Sequence, residues 1–208
     1  MFWGWSLLFV QVKQTVNCLI RAASAARKFF LLEVPSRQKV AWPMITRAAK
    51  LLLLSGIALY YSLVVFNNLT DFGSNYQFVQ HVLAMDTTFP GDHGRWRALT
   101  SPAAHLAFYL GIIVWEIVTT ILLWWGAARL LGALRLKADV FNAAKRIPLM
   151  ALTIAILMWL VAFLTVGGEW FLMWQSHTWN GQEEAFRMFA VVGIVMIVVL
   201  QPDVEGQP

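Results

Sequence analysis

The sequence predicts an all-α integral membrane protein, built as a four-helix bundle with an N-terminal interfacial amphipathic helix. Two observations predict this fold class. Hydrophobic residues make up 59% of the 208 positions and charged residues only 13%, about half the charged fraction of an average globular protein. The apolar residues are also gathered into four long runs, and about 20 apolar residues are enough to cross a bilayer. Lipid is therefore the expected solvent for most of the chain.

Residues 1–43 are predicted to form a segment on the membrane surface. Within residues 5–30, polar residues recur every three or four positions and apolar residues occupy the opposite face, as in an amphipathic helix. The polar face includes Arg21 and Lys28 and suits the anionic lipids of the cytoplasmic leaflet. The alternative interpretation is a poorly ordered extension.

The four apolar runs are predicted to be helices, because an isolated span must satisfy its own backbone hydrogen bonds within the lipid. The first contains LLLLSGIALYYSLVVF, and the third begins beside Pro148, which is tolerated in the first turn of a helix. The predicted spans cover residues 48–66, 103–131, 147–166 and 185–200. Together they make up a transmembrane domain of residues 44–202, followed by a tail of residues 203–208.

The distribution of Lys and Arg predicts the orientation. Residues 1–50 hold eight of these residues, the connection between the second and third spans holds five, and the other two loops together hold three. Positive residues are retained on the cytoplasmic side of a membrane. Both termini are therefore expected in the cytoplasm, and the other two loops on the far side.

The two far-side loops hold the predicted binding residues. The first contains VLAMDTTFPGDHGRWRALTSP, with a short helix expected over residues 79–85, and the second contains GGEWFLMWQSHTWNGQEEAFR. Because both loops lie on one side, their side chains can converge on one cap. The cap is expected to be either a ligand or partner site, since Trp and Arg are enriched in hot spots, or a structural seal of paired charges. Its predicted members are Asp86, Arg95, Trp96, Arg97, Glu169, Trp170, Trp174, Trp179, Asn180, Gln182 and Arg187.

The same two stretches carry a family resemblance. The segments VLAMDTTFPGDHGRWRALTSPAAH and GGEWFLMWQSHTWNGQEEAFR resemble the signature stretches of a bacterial family of predicted small integral membrane proteins, domain of unknown function 2165. The resemblance covers roughly residues 51–202. It implies four hydrophobic spans in a bacterial inner membrane, with these segments in the loops. It implies no activity, because the family is uncharacterised.

The second predicted span carries an ionisable residue. Glu116 lies 11 positions after His105, about 16 Å further along a helix, which places it near the membrane midplane. Ionisable groups there usually face the bundle interior or a polar pathway, and His105, Tyr109 and Glu116 share one helical face. Glu116 is expected to be a neutral acid that serves either a proton path or helix packing. Its expected hydrogen-bond partners are Thr119, Thr120, Thr153 or a buried water.

Catalytic, metal and cofactor sites are not expected. All four histidines lie at or outside the far-side boundary of the predicted bundle, which argues against a haem between the helices. A metal at the cap could recruit His81, His93 or His177, but their spacing matches no compact metal motif. Phosphate-loop, GxSxG, HExxH and paired-Cys motifs are missing from the sequence. We therefore expect no catalytic residue, no metal, no cofactor and no nucleic-acid partner.

Three functional classes remain open. The leading expectation is an accessory or structural subunit of a larger membrane assembly, with the cap as the interaction site. Its partner would be another membrane protein or a second copy of the chain. The first alternative is a small proton-coupled transporter that uses Glu116. The second is a quinone-binding, redox-linked subunit in which Glu169, Trp170 and Trp174 hold the quinone head group.

Overall fold

The computed structural model describes residues 42–204, and every regular element in this range is a helix. The main helices are α1 (Trp42–Thr70), α2 (Phe72–Ala84), α3 (Pro102–Ala133), α4 (Ala138–Ala144), α5 (Arg146–Leu157) and α6 (Gln182–Leu200). Helix α5 continues directly as a π-helix over Met158–Trp170, and short 3-10 helices cover His93–Arg97 and Met173–Gln175. The predicted surface helix within residues 1–43 lies outside the described residues, as does the end of the predicted tail.

Three helices are long and apolar enough to cross a membrane. They cover Pro43–Thr70, Pro102–Ala133 and Ala138–Trp170. They contain the first three predicted spans, and the first and third are clearly longer than predicted because these helices continue into polar or charged residues. The fourth predicted span lies within α6, which is not among the three and carries Glu183, Glu184 and Arg187 near its start. The structure therefore supports three spans where the sequence predicted four.

The larger of two apolar cores joins α1, α3, α5 and α6. Helix α3 packs along α5, and α6 packs along α5 and the π-helix. Gly126 allows a close approach of α3 to α5, because a Cβ atom at this position would lie 3.0 Å from the backbone nitrogen of Pro148. The largest side chains that are fully buried in this core are Tyr61, Phe141, Leu54, Leu123, Leu130, Leu152 and Met158.

The second core fixes α2 against the first half of α3. It is built from Val79, Val82, Leu83, Met85, Tyr109, Ile113, Phe171 and Met173. The ring of Phe72 packs edge-on against Tyr109, with a centroid distance of 4.7 Å. These contacts extend the short helix expected over residues 79–85 to the full length of α2.

The bundle has two ends of different character. At one end, the Nη1 atom of Arg47 in α1 donates to the carbonyls of Leu134 and Leu136 after α3, at 3.2 and 2.7 Å. At the same end, the Nζ atom of Lys50 donates to the carbonyl of Gln201 after α6, at 2.6 Å. We call this the basic end. The opposite end, which carries α2 and both long loops, is the loop end.

Candidate functional site

The two loops at the loop end are joined by hydrogen bonds. The hydroxyl of Thr87 donates to the hydroxyl oxygen of Ser176 at 2.8 Å, and the backbone N–H of Phe89 donates to the side-chain oxygen of Gln175 at 2.9 Å. Both Gln175 and Ser176 are buried. The segments around MDTTFPG and FLMWQS therefore form one connected unit.

Arg97 links the first loop to the end of the π-helix. Its Nη1 atom donates to the backbone carbonyls of Trp170 at 3.0 Å and Glu169 at 3.4 Å. A cation at this position also interacts favourably with the negative end of the helix dipole. The guanidinium carbon lies 5.8 Å from the ring centroid of Trp96 and 5.4 Å from that of Trp170, within the range of a cation–π contact. Arg97 therefore holds both indoles in place.

Four large aromatic side chains at the loop end are exposed in two pairs. Trp96 and Trp170 pack edge-on with their ring centroids 6.0 Å apart, and Phe89 and Trp174 pack edge-on at 5.8 Å. Their exposed fractions are 76% for Trp96, 49% for Trp170, 47% for Phe89 and 44% for Trp174. We call these four side chains the aromatic surface.

Asp86 and Trp179 belong to a separate group around His81. The Nδ1 atom of His81 lies 2.7 Å from the carboxylate of Asp86. The imidazole stacks on Trp179 with a centroid distance of 4.6 Å and an interplanar angle of 10°. The structure thus pairs Asp86 with a histidine and with none of the arginines of the predicted cap.

The remaining predicted cap residues have different roles. Arg95 is exposed, and the side chain of Glu169 is exposed while its carbonyl accepts from Arg97. The Oδ1 atom of Asn180 accepts from the backbone N–H of Gln182 at the start of α6. Arg187 forms an exposed ion pair with Glu184 at 3.1 Å. The predicted cap is therefore divided into separate groups, and only some of its members meet.

Glu116 lies buried on α3, with 3% of its surface exposed. The side-chain amide of Asn68 donates to its Oε2 atom at 2.6 Å, and the hydroxyl of Tyr109 donates to the Oδ1 atom of Asn68 at 3.2 Å. These are not the predicted partners. The hydroxyls of Thr119, Thr120 and Thr153 each donate to the backbone carbonyl four residues earlier, as helical threonines often do.

The carboxyl of Glu116 faces a polar cavity of about 480 Å³. The cavity lies beside Asn68, in the last turn of α1, and Glu184, in the first turn of α6. The cavity therefore extends toward the loop end, whereas Glu116 itself lies near the middle of α3. Its other polar lining residues are Asn67, Asn75, Tyr109 and Asn180.

His105 is buried one turn from Tyr109 but is not part of the hydrogen bonds around Glu116. Its Nε2 atom donates to the backbone carbonyl of Leu99 at 2.6 Å, and the described residues offer no partner to its Nδ1 atom. Its observed contact therefore joins the start of α3 to the preceding loop.

Asp203 forms a buried charge cluster at the basic end, with 2% of its side chain exposed. Its Oδ2 atom lies 2.6 Å from the Nζ atom of Lys50 and 2.5 Å from that of Lys145, and its Oδ1 atom lies 3.7 Å from the Nε atom of Arg47. The side-chain oxygen of Asn142 accepts from Lys145 at 2.7 Å. Burial raises the pKa of Asp203, but the hydrogen bonds from Lys145 and Lys50 outweigh it, so the pKa lies below its usual value.

Sequence reasoning missed this cluster. It placed Arg47, Lys50 and Lys145 among the residues that mark the cytoplasmic side, although all three are buried. It also missed Asn68, because an amide at the end of a span carries no signal of a partner on another helix. Within residues 42–204, no group of three or more His, Cys, Asp or Glu side chains could hold a metal ion.

The long apolar helices and their exposed apolar faces define a helical integral membrane protein. The family model for predicted small integral membrane proteins, domain of unknown function 2165, matches residues 46–202, and the chain belongs to this family. The matched range includes both loops, Asn68 and Glu116, and it confirms the resemblance carried by the loop segments. Comparisons with curated proteins and with solved structures each gave no match.

Proposed function

We propose that this protein is an accessory or structural subunit of a larger membrane assembly and that it binds its partner through the aromatic surface. The observation that carries the proposal is the exposure of Trp96, Trp170, Phe89 and Trp174 on two loops that hydrogen bonds join to each other. Aromatic residues are enriched in interfaces, and Trp is among the commonest hot-spot residues. The partner is another membrane protein or a second copy of this chain.

The anchoring of these rings supports the proposal. Arg97 binds two backbone carbonyls and contacts both indoles of the first pair, and Gln175 holds the backbone of Phe89. A side chain that is already ordered loses less conformational entropy on binding, so more of the contact energy contributes to affinity. The loop end is therefore pre-organised for a partner.

We also propose that α6 is a fourth crossing of a bacterial inner membrane, with both termini in the cytoplasm. Its 19 residues correspond to about 28 Å of helix, close to the hydrocarbon thickness of about 30 Å. Phe186, Ile194 and Ile197 give it an exposed apolar face, as a lipid-facing helix requires. The count of Lys and Arg supports this orientation even when the three buried cations of the Asp203 cluster are left out. Ten of the remaining residues precede α1 or lie near the connection from α3 to α5, and three lie toward the loop end. Positive residues are retained on the cytoplasmic side.

The two alternative functions have less support from the geometry. The hydrogen bonds around Glu116 join it to Asn68 and Tyr109, but His105 binds a backbone carbonyl instead of extending a proton path. Trp170 and Trp174, the indoles expected to hold a quinone head group, are exposed and do not line the cavity at Glu116.

The test is native mass spectrometry of the tagged full chain, extracted from its own membranes into lipid-preserving particles. We expect the wild-type chain to carry a stoichiometric partner subunit. Trp96→Ala should weaken the complex by roughly 30-fold or more in Kd, the loss of one hot-spot residue of about 2 kcal/mol.

The matched control is Phe186→Ala on α6, which removes another exposed aromatic ring, 62% exposed against 76% for Trp96, from the helix face proposed to contact lipid. This variant should keep the partner. A wild-type chain extracted alone, or equal partner retention by wild type and Trp96→Ala, would contradict the proposed function.

A further inference from the structure

We propose that the polar cavity at Glu116 is a binding site for a small organic cation, an ammonium group attached to an apolar body. This site is separate from the aromatic surface, and the proposal does not depend on the partner-binding function. The cavity holds about 480 Å³, within the range of small-molecule sites. Its volume is many times that of a single metal ion, so an organic molecule fits it better.

The carboxyl of Glu116 has one oxygen available to a ligand. Asn68 binds the Oε2 atom, while no described residue donates a hydrogen bond to the Oε1 atom. Only 3% of the surface of Glu116 is exposed, and the residue lines the cavity. The Oε1 atom is not among the buried side-chain atoms that lack a partner, so it is open to the cavity, where a ligand N–H would donate to it.

Asn68 fixes the direction of this carboxyl. The Oδ1 atom of Asn68 accepts from the hydroxyl of Tyr109, so its amide nitrogen points toward Glu116. These two hydrogen bonds determine which side-chain atom of Asn68 is the nitrogen and which is the oxygen. The acceptor in the cavity is therefore held in place before a ligand arrives.

The charges around the cavity favour a cation. Among its described lining residues, Glu116 and Glu184 are acidic, four are asparagines, and none is Lys, Arg or His. The exposed Arg187 already pairs with Glu184, so Glu116 is the acid left for the ligand. A bound ammonium group would stabilise the carboxylate form of Glu116 and gain a charge-assisted hydrogen bond, about twice as strong as a neutral one, whereas an anion would gain no such bond.

The walls of the cavity favour an apolar body beside the ammonium group. Phe78, Tyr109, Trp159 and Phe163 line it, and aromatic faces attract cations within about 6 Å. A second, apolar cavity of about 530 Å³ shares Phe78, Val79, Ile112 and Phe163 as lining residues. One layer of side chains therefore separates the two cavities, and apolar surface surrounds the far side of the site.

The test uses 2-phenylethylamine and its neutral counterpart 2-phenylethanol as probes. Binding to the full chain in lipid nanodiscs is measured by calorimetry, with empty nanodiscs as the reference for partition into lipid. We expect saturable binding of the amine, at least 10-fold tighter than that of the alcohol. Glu116→Gln should weaken amine binding at least 10-fold and leave alcohol binding unchanged.

The matched control is Glu183→Gln, which removes an exposed carboxylate next to Glu184 that does not line the cavity. This variant should bind the amine like the wild type. Equal binding of amine and alcohol, no saturable amine binding, or unchanged amine binding in Glu116→Gln would overturn the proposal. If Glu116→Gln fails to fold, the ratio of amine to alcohol affinity in the wild type decides the question alone.

Discussion

The two buried carboxylates of this protein, Asp203 at the basic end and Glu116 toward the loop end, have opposite surroundings. Asp203 accepts short hydrogen bonds from two lysines and lies beside Arg47. Glu116 receives one hydrogen bond, from the neutral amide of Asn68, and faces a cavity. At the basic end, the Oδ2 atom of Asp203 contacts both lysines and the Oδ1 atom lies 3.7 Å from the Nε atom of Arg47, so three cations surround the carboxylate. The loop end leaves one oxygen without a protein partner.

This difference separates a structural charge from a candidate ligand-binding charge. A buried ion needs partners to offset the loss of its hydration, and the cluster at Asp203 supplies them from α1, from Lys145 beside α4, and from the segment after α6. Glu116 lacks an ionic partner among the described residues. Its second carboxyl oxygen has no donor among the described residues, and Glu116 lines a cavity, so this oxygen can accept from a ligand.

The largest predicted effect is an all-or-none difference in accessibility between the two ends. In a background with Cys18→Ser, a membrane-impermeant maleimide should label Thr178→Cys in intact spheroplasts, because Thr178 is exposed at the loop end. Arg135→Cys, exposed at the basic end, should be labelled only after the membrane is permeabilised. The reverse pattern would contradict the proposed orientation, and labelling of both positions in spheroplasts would contradict the single membrane crossing between Arg135 and Thr178.

The next effect is on stability at the basic end. Asp203→Asn keeps the shape of the side chain but removes the negative charge between three buried cations, so the free energy of unfolding should fall by about 3–5 kcal/mol. Unfolding in mixed detergent micelles measures this change. Asp139→Asn is the matched control, because Asp139 is exposed at the same end and an amide oxygen can still accept from the N–H of Val140. Equal stabilities of the two variants would show that the cluster does not hold the bundle together.

The smallest effect is expected at Glu116. Glu116→Gln retains an oxygen that can accept from Asn68 and strips no cation of its partner, so the free energy of unfolding should change by less than about 1 kcal/mol. The same unfolding assay compares it directly with Asp203→Asn. A loss as large as that of Asp203→Asn would make Glu116 a structural residue and remove the contrast between the two ends.

The sequence was sufficient to predict the helices, since long apolar runs in lipid have few alternatives to helical structure. It was less accurate where tertiary contacts decide the length of an element. Helix α2 begins at Phe72 because Phe72 and Tyr76 pack against Tyr109, and only residues 79–85 were apolar enough to be recognised. The fourth span was predicted from hydropathy alone. The charged residues in the first two turns of α6 make this helix less apolar than the three helices that are long and apolar enough to cross a membrane.

The candidate sites were less predictable for a specific reason. The partners of Arg97 are backbone carbonyls, and any residue can supply a carbonyl, so the sequence carries no signal for this contact. Lys50 and Lys145 matched the pattern of cytoplasmic loop charges, and their buried partner Asp203 follows Lys50 by 153 residues. The residue types of the cap indicated which side chains lie in the two loops. Their division into separate groups depends on the geometry of the loops, which the residue types do not specify.

The long separation between Lys50 and Asp203 also sets an order of assembly. The ribosome makes α1, α3 and α5 before it reaches residue 203, so Lys50 and Lys145 are synthesised before their counterion. The cluster can close only when α6 has been synthesised and its final turn has reached the basic end. The arrival of Asp203 is therefore a late step of biogenesis that secures the first helix of the bundle to the last.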